Sequence, residues 1–192
     1  MGEKKVYRNA VRSRQMIRQA FLELLREKPC EKITATDVIR RADINRSTFY
    51  AHYPDVRGIM DEIMAEITQM FRSMLQSMDF TSFFADPMPI LLEMIGFLQE
   101  NQEMYQMLLQ SSMALEQLDQ LKKVLINQVL ETPNLPLHNL GDTGIVIRVR
   151  MLLSGLVDTY RQWLAGEFAC TMEEAAEEIA AVIRTLGLAV NN

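Results

Sequence analysis

The stretch Ile33–Tyr53, ITATDVIRRADINRSTFYAHY, leaves the chain few folds to choose from. Thr34 stands where a helix N-cap belongs, and Asp37 three residues later can answer it as in a capping box. Val38, Ile39 and Ala42 then share one face of a short helix, Ala42 being small enough to let another helix approach closely. Asp43-Ile44-Asn45 interrupts that helix with two turn-formers around one apolar anchor. A second short helix, Arg46–Tyr50, follows, with Arg46, Ser47, Thr48, Tyr50 and His52 falling within about one and a half turns. Two short helices across so tight a turn make a helix-turn-helix, whose second member can enter the major groove of DNA. The expectation is DNA binding.

The same residues carry a family resemblance. T-x-x-D-(V/I)-x-x-x-A-x-(I/V)-(N/S)-(R/K)-x-T-(F/L)-Y-x-H-(Y/F) is the DNA-binding pattern of the tetracycline-repressor (TetR) family of bacterial regulators. Thr34, Asp37, Val38, Ala42, Ile44, Asn45, Arg46, Thr48, Phe49, Tyr50, His52 and Tyr53 match it at fixed spacing. The strict match covers roughly residues 12–60, about a quarter of the chain; beyond it only the layout is similar. One position departs: where the family has a Lys just after the turn that follows H-(Y/F), this chain has Val56, with Arg57 next door to supply the phosphate contact. The resemblance implies that Thr36, Arg46, Ser47, Thr48, Tyr50, His52 and Arg57 meet the duplex. Arg46 and His52 would touch phosphate; Ser47, Thr48 and Tyr50 would divide between base edges and phosphate. Phe49 and Tyr53 would pack inward.

Charge supports this once its distribution is considered. The 192 residues carry a net −5, which by itself argues against a polyanionic partner. Residues 1–58, however, hold 13 Lys/Arg against 7 Asp/Glu, and the remainder holds 7 against 18. A basic head on an acidic body is the electrostatic footprint of a protein that docks DNA by one end.

Taken in order, Met1–Val11 reads as a polar arm with Lys4, Lys5 and Arg8, free to touch the DNA backbone. Ser13 reads as the cap of a first helix whose Ile17, Ala20, Phe21, Leu24 and Leu25 repeat at helical spacing. Lys28-Pro29-Cys30 ends it. Asp55 is placed to cap a long helix, Val56–Met78, whose apolar residues keep the period for over five turns. Thr81–Pro89 breaks the pattern, and further helices read at about 88–99, 102–111, 112–131, 142–166 and 172–187. The loop Thr132–Gly141, with Pro133 and Pro136, is the clearest interruption. No strand alternation persists. The expected fold is all-α: a three-helix helix-turn-helix module over residues 1–55 and a helical ligand-binding and dimerisation domain over 56–192.

The second domain holds 12 of the 14 methionines. Met suits either an irregular core or an adaptable apolar pocket, and the resemblance favours the pocket, since these regulators bind a small-molecule inducer there. The expected lining is Met64, Thr68, Phe71, Met104, Tyr105, Leu108 and Met151, with Thr68 and Tyr105 as its polar groups. An apolar or amphipathic ligand is expected, because the domain's scattered basic residues form no cluster for a polyanion. The last two helices carry wider apolar stripes than one domain needs for its own core. Val149, Leu152, Leu156, Trp163, Ile179 and Ile183 are the expected interface, and in the family this helix pair forms the four-helix contact between two subunits.

Other chemistries find little footing. His52 and His138 are the only histidines, no Cys/His or carboxylate cluster has metal-ligand spacing, and no glycine-rich phosphate loop occurs. Neither catalysis, a metal nor a cofactor is expected. Cys30 and Cys170 make no disulfide framework. No apolar run of membrane-spanning length and no signal-like start occur, so a soluble cytoplasmic protein is expected. Two alternatives stand beside the ligand-released repressor: a regulator, including an activator, that answers to a protein partner, and a small-molecule-binding protein whose head does not read DNA.

Overall fold

The computed structural model describes residues 2–100, 102–109, 111–132 and 142–188. Among these the chain forms ten α-helices, a short 3-10 turn at Cys30–Lys32, and no strand. Two compact units result, Met1–Glu66 with Met107–Gln117, and Ile67–Gln106 with Leu118–Asn192.

The first unit is built on α1 (Gly2–Leu25), α2 (Ala35–Arg41), α3 (Arg46–His52) and the start of α4 (Val56–Ser77). Apolar residues of α1 recur every three or four positions, and the stripe they make is buried: Ile17, Ala20, Phe21 and Leu24. Val38 of α2 and Phe49 of α3 close on that stripe, each fully buried. The helix ends are specified residue by residue. Thr34 Oγ1 accepts from the Asp37 amide at 3.2 Å while the Thr34 amide donates to Asp37 at 2.9 Å, completing the capping box. Asp43 takes φ +51 in the turn, a left-handed conformation that Asp tolerates better than most residues. Asp55 Oδ1 accepts from the Gly58 amide at 3.0 Å at the start of α4. Gly58 fits closely there, since a Cβ would lie 3.1 Å from Pro54 Cδ and the proline ring would have to give by a few tenths of an ångström.

Two features differ from the sequence expectation. Residues 2–11 do not form a separate arm, because α1 runs unbroken through them. Ser13 is therefore no cap; it lies mid-helix and donates its hydroxyl to the Asn9 carbonyl at 2.9 Å, one turn back. The side chains of Lys4, Lys5 and Arg8 lie outside the described residues. The second difference is α5 (Phe80–Ala85), within the segment expected to be broken. Asp79 caps it, accepting from the Thr81 amide at 3.0 Å and the Ser82 hydroxyl at 2.6 Å, and Phe80 and Phe83 bury inward.

The second unit takes the rest of α4, then α5, α6 (Met88–Glu100), α7 (Gln102–Leu108, as far as Gln106), most of α8 (Ser112–Leu130), α9 (Asp142–Leu164) and α10 (Met172–Leu188). Its core joins Phe80, Phe83, Leu91, Ile95, Ile126 and Val129 to Val149 of α9 and to Met172, Ala176, Ala180 and Ile183 of α10. The turn between the last two helices is held by Trp163 Nε1, which donates to the Cys170 carbonyl at 2.9 Å. Thr171 and Glu174 form the second capping box, with bonds of 2.8 and 3.1 Å. Most of the loop expected at Thr132–Gly141 lies outside the described residues. Both α4 and α8 run through both units. No helix among the described residues is long and apolar enough to cross a membrane.

Candidate nucleic-acid interface

The α3 sequence sorts its own faces. Phe49 is fully buried and Tyr53, the residue that caps the helix at its C-terminal end, is 3% exposed, whereas Tyr50 between them is 53% exposed. Thr36, Arg46 and Ser47 are exposed, and Thr48 and His52 half-buried. The helix starts on Asn45, whose Oδ1 accepts three bonds: from the Thr48 amide at 2.7 Å, the Thr48 hydroxyl at 2.8 Å and the Ser47 hydroxyl at 2.7 Å. Sequence reading placed Asn45 in the turn and missed this cap, although Asn just before a helix is its usual signal. Arg46 donates from Nη2 to the Thr36 hydroxyl at 3.3 Å, joining the starts of α2 and α3. Arg46 with Thr36, and Ser47 and Thr48 on Asn45, thus make two polar groups at the start of α3.

His52 occupies the other end of α3. The Ser13 hydroxyl and His52 Nε2 are hydrogen-bonded across 2.7 Å, the donor being set by the imidazole tautomer. That bond ties the recognition helix to α1 and leaves Nδ1 as the ring atom for any further contact. Ser13 is a positioning residue that sequence reading treated only as a cap. Arg57 sits differently: it is half-exposed and paired with Glu116 at 2.9 Å. A phosphate contact by Arg57 would compete with that pair.

Ion pairs also join the helices of this unit. Arg14 and Arg18 reach Glu62 at 2.8 and 3.5 Å, and Arg18 reaches Glu66 at 2.6 Å, pinning α1 to α4. Arg14 also lies over the Tyr53 ring at 5.9 Å. The Tyr53 hydroxyl makes no well-formed hydrogen bond, and burial, more than nearby Glu62, pushes its pKa up to about 12. Lys28 pairs with Asp37 at 2.7 Å; that contact, with the Thr34 bonds, holds the Asp37 carboxyl well below the usual carboxylate range. Glu31 accepts from the amide and hydroxyl of Ser112 at 2.9 and 3.2 Å, capping α8. Cys30 is buried, its thiol pushed up chiefly by burial, which leaves it a poor nucleophile.

The residues expected to line a ligand pocket divide between the units. Met64 and Leu108 are buried in the first. Thr68, Phe71, Met104 and Tyr105 belong to the second, where Phe71 and Tyr105 are buried. Met151 is 66% exposed on α9, and in the single chain it faces solvent. A recess of about 300 Å³ in the first unit, bordered by Leu25, Lys28, Cys30, Met107 and Ser111, includes none of them.

The residues expected at the interface divide between the core and the surface of the chain. Val149 and Ile183 are 4% and 0% exposed and belong to the protomer's own core, so they cannot face a partner. Leu152, Leu156, Trp163 and Ile179 are only partly covered. The residues turned fully outward are Ile147, Met151 and Val182, at 52, 66 and 57% exposure. The apolar stripe on α9 is wide enough to serve two faces.

Comparison with known proteins agrees with this geometry. A TetR-class family model described as the transcriptional regulator C-terminal region matches residues 85–185. An uncharacterized HTH-type transcriptional regulator, YxbF of Bacillus subtilis (strain 168), is 33% identical over 86 residues; the match spans 44% of this chain but 21% of that protein. Among solved structures, a TetR-family regulator from Syntrophomonas wolfei superposes with TM-score 0.75 at 16% identity, covering 92% of this chain and 95% of its own. NalD, the secondary repressor of the MexAB-OprM multidrug efflux pump in Pseudomonas aeruginosa, gives 0.68 at 17%, covering 94 and 97%. DhaS, a dihydroxyacetone kinase operon activator, gives 0.58 at 16%, covering 91 and 95%. The two helical units, the helix-turn-helix at one end and a C-terminal match over more than half the length place the chain in the TetR family of transcriptional regulators.

Proposed function

We propose that the chain acts as a homodimeric repressor that reads a palindromic operator through α3 and is released by a small apolar or amphipathic ligand. The observation that carries this reading is the outer face of α3. Tyr50 is exposed, and the hydroxyls of Ser47 and Thr48 are gathered with Arg46 at the helix start, on a head whose charge is strongly basic within an acidic chain. In a groove, Ser47 and Thr48 exchange their bonds to Asn45 for bonds to bases or phosphates, and Arg46 exchanges Thr36 for phosphate. Two copies of α3 must then sit roughly 34–36 Å apart, one turn of the duplex. A ligand in the second unit reaches the head through α4 and α8, which pass through both units. It can act only to the extent that it favours one arrangement over the other.

The dimer is proposed through the outward side of α9 and α10, around Ile147, Met151 and Val182. The decisive experiment is a salt-titrated gel shift on the DNA flanking the protein's own gene. Sequence-selective binding is expected, with Arg46→Ala weakening it on all sequences and flattening the log–log salt slope by about one. An unchanged slope would remove α3 from the interface. A second reading, control by a protein partner with activation as the outcome, draws on DhaS, an activator with the same fold. Release of DNA by a purified small molecule favours the first reading over it.

A further inference from the structure

Two tyrosines in the second unit place hydroxyls where an all-apolar core would not. The Tyr160 hydroxyl is fully buried and has no hydrogen-bond partner among the described residues. Tyr160 stacks on Trp163 at 6.2 Å, with ring planes 18° apart. Tyr105, 6% exposed, lies against Phe97 at 6.4 Å, and Phe97 in turn meets Phe71 edge-on at 6.3 Å. The helices that carry the two tyrosines are pinned together beside them, since Gln106 Nε2 donates to the Leu164 carbonyl at 3.1 Å. Burial pushes the Tyr105 phenol up to about 12; burial first, and then the nearness of Tyr105, raises Tyr160 further. No carboxylate or cation contributes to either shift. The nearby charges of α8 and α9 are engaged with one another, Lys122 lying 3.3 Å from Asp158 and Asp158 lying 4.0 Å from Arg161.

A buried hydroxyl without a partner is costly, and native cores seldom keep one without use. Two protonated phenols in an uncharged aromatic setting are donors suited to a neutral acceptor. Either can serve a lone pair of a carbonyl oxygen. An anion there would lose its hydration without meeting a cation.

We propose that Tyr105 and Tyr160 are the polar end of the ligand site, donating to the carbonyl of a neutral aromatic molecule whose ring packs among Phe71, Phe97 and Trp163. The proposal rests on the ligand-controlled reading and gives that ligand its chemistry.

Three probes of one shape test it: 1-acetylnaphthalene, which carries the carbonyl; 1-ethylnaphthalene, which lacks it; and 1-naphthoate, which is charged. Titration calorimetry on the full-length protein should show the ketone binding roughly 3- to 10-fold tighter than the hydrocarbon, the worth of a net hydrogen bond. The naphthoate should bind weakest. In Tyr160→Phe and Tyr105→Phe the ratio of ketone to hydrocarbon affinity should fall toward one, which a purely structural role would not produce. Equal affinities, a ratio that survives both substitutions, tightest binding by the naphthoate, or no binding by any probe would overturn the assignment. DNA release measured on the same samples separates the two claims. Tyrosine-dependent ketone binding without DNA release leaves this site standing and overturns the ligand-released repressor. DNA release by a compound indifferent to both tyrosines does the reverse.

Discussion

Adjacent residues of α3 answer to different masters. Phe49 is fully buried beneath the helix, and Phe49→Ala should cost about 3–5 kcal/mol, read as a fall in the urea midpoint. Tyr50, 53% exposed, should be replaceable by Ala within about 0.5 kcal/mol of the original stability. Its loss should appear instead in operator affinity. If Tyr50→Ala left DNA binding intact, α3 would be presenting a different face. Asp37 makes a separate prediction, in pH. Its carboxyl titrates well below the usual range in the folded head, first because Lys28 donates to it and then because of Thr34. A carboxyl depressed by folding stabilises fully above its unfolded value, near 4, and that contribution drains away as the pH falls through and below it. Asp37→Asn should therefore be less stable at neutral pH and should lose this part of the acid dependence. Parallel acid titrations of the two proteins would contradict the assignment.

At the level of helices, much was legible in the sequence, for physical reasons that can be named. Thr34 with Asp37, and Thr171 with Glu174, are reciprocal caps set by local spacing, so three residues of context suffice to read them. Ser13 was not legible. A serine between polar residues is an equally good cap or interior residue, and here α1 continues through it while its contact with His52 lies 39 positions away. α5 was hidden in part for a similar reason: Asp86 and the prolines marked a break, and although the Asp79 cap is local, the inward phenylalanines depend on neighbours from α10. Asn45 was read as a turn residue because it is one; that it also holds two hydroxyls of the proposed reading surface shows only in three dimensions. Asn45→Ala should cost about 1 kcal/mol by uncapping α3. It should also weaken DNA binding more than that loss explains, since Ser47 and Thr48 lose their common anchor. Equal losses in stability and binding would reduce Asn45 to a cap alone.

For the whole molecule the discriminating substitutions lie on α9 and α10. Met151→Arg or Val182→Arg puts charge on an outward apolar face, and sedimentation should show the dimer dissociating into folded protomers. Ile183→Arg, at a fully buried site, should cost several kcal/mol and unfold the protomer itself. A chain that is monomeric at micromolar concentration before any substitution would end the two-half-site mechanism. The ligand lining was the least legible part, because methionine periodicity does not distinguish core from pocket, and the polar handle now inferred includes Tyr160, which reads in sequence as one more stripe residue. The two unlike sides of α9 have a further consequence. Val149 looks into the protomer while Ile147 and Met151, two residues to either side, look out. Mutations can therefore drift on the outward side without disturbing the fold. In the proposed dimer, a duplicated copy of the gene could change which subunits pair, excluding its parent from mixed dimers, before either copy lost the ability to fold or to read DNA.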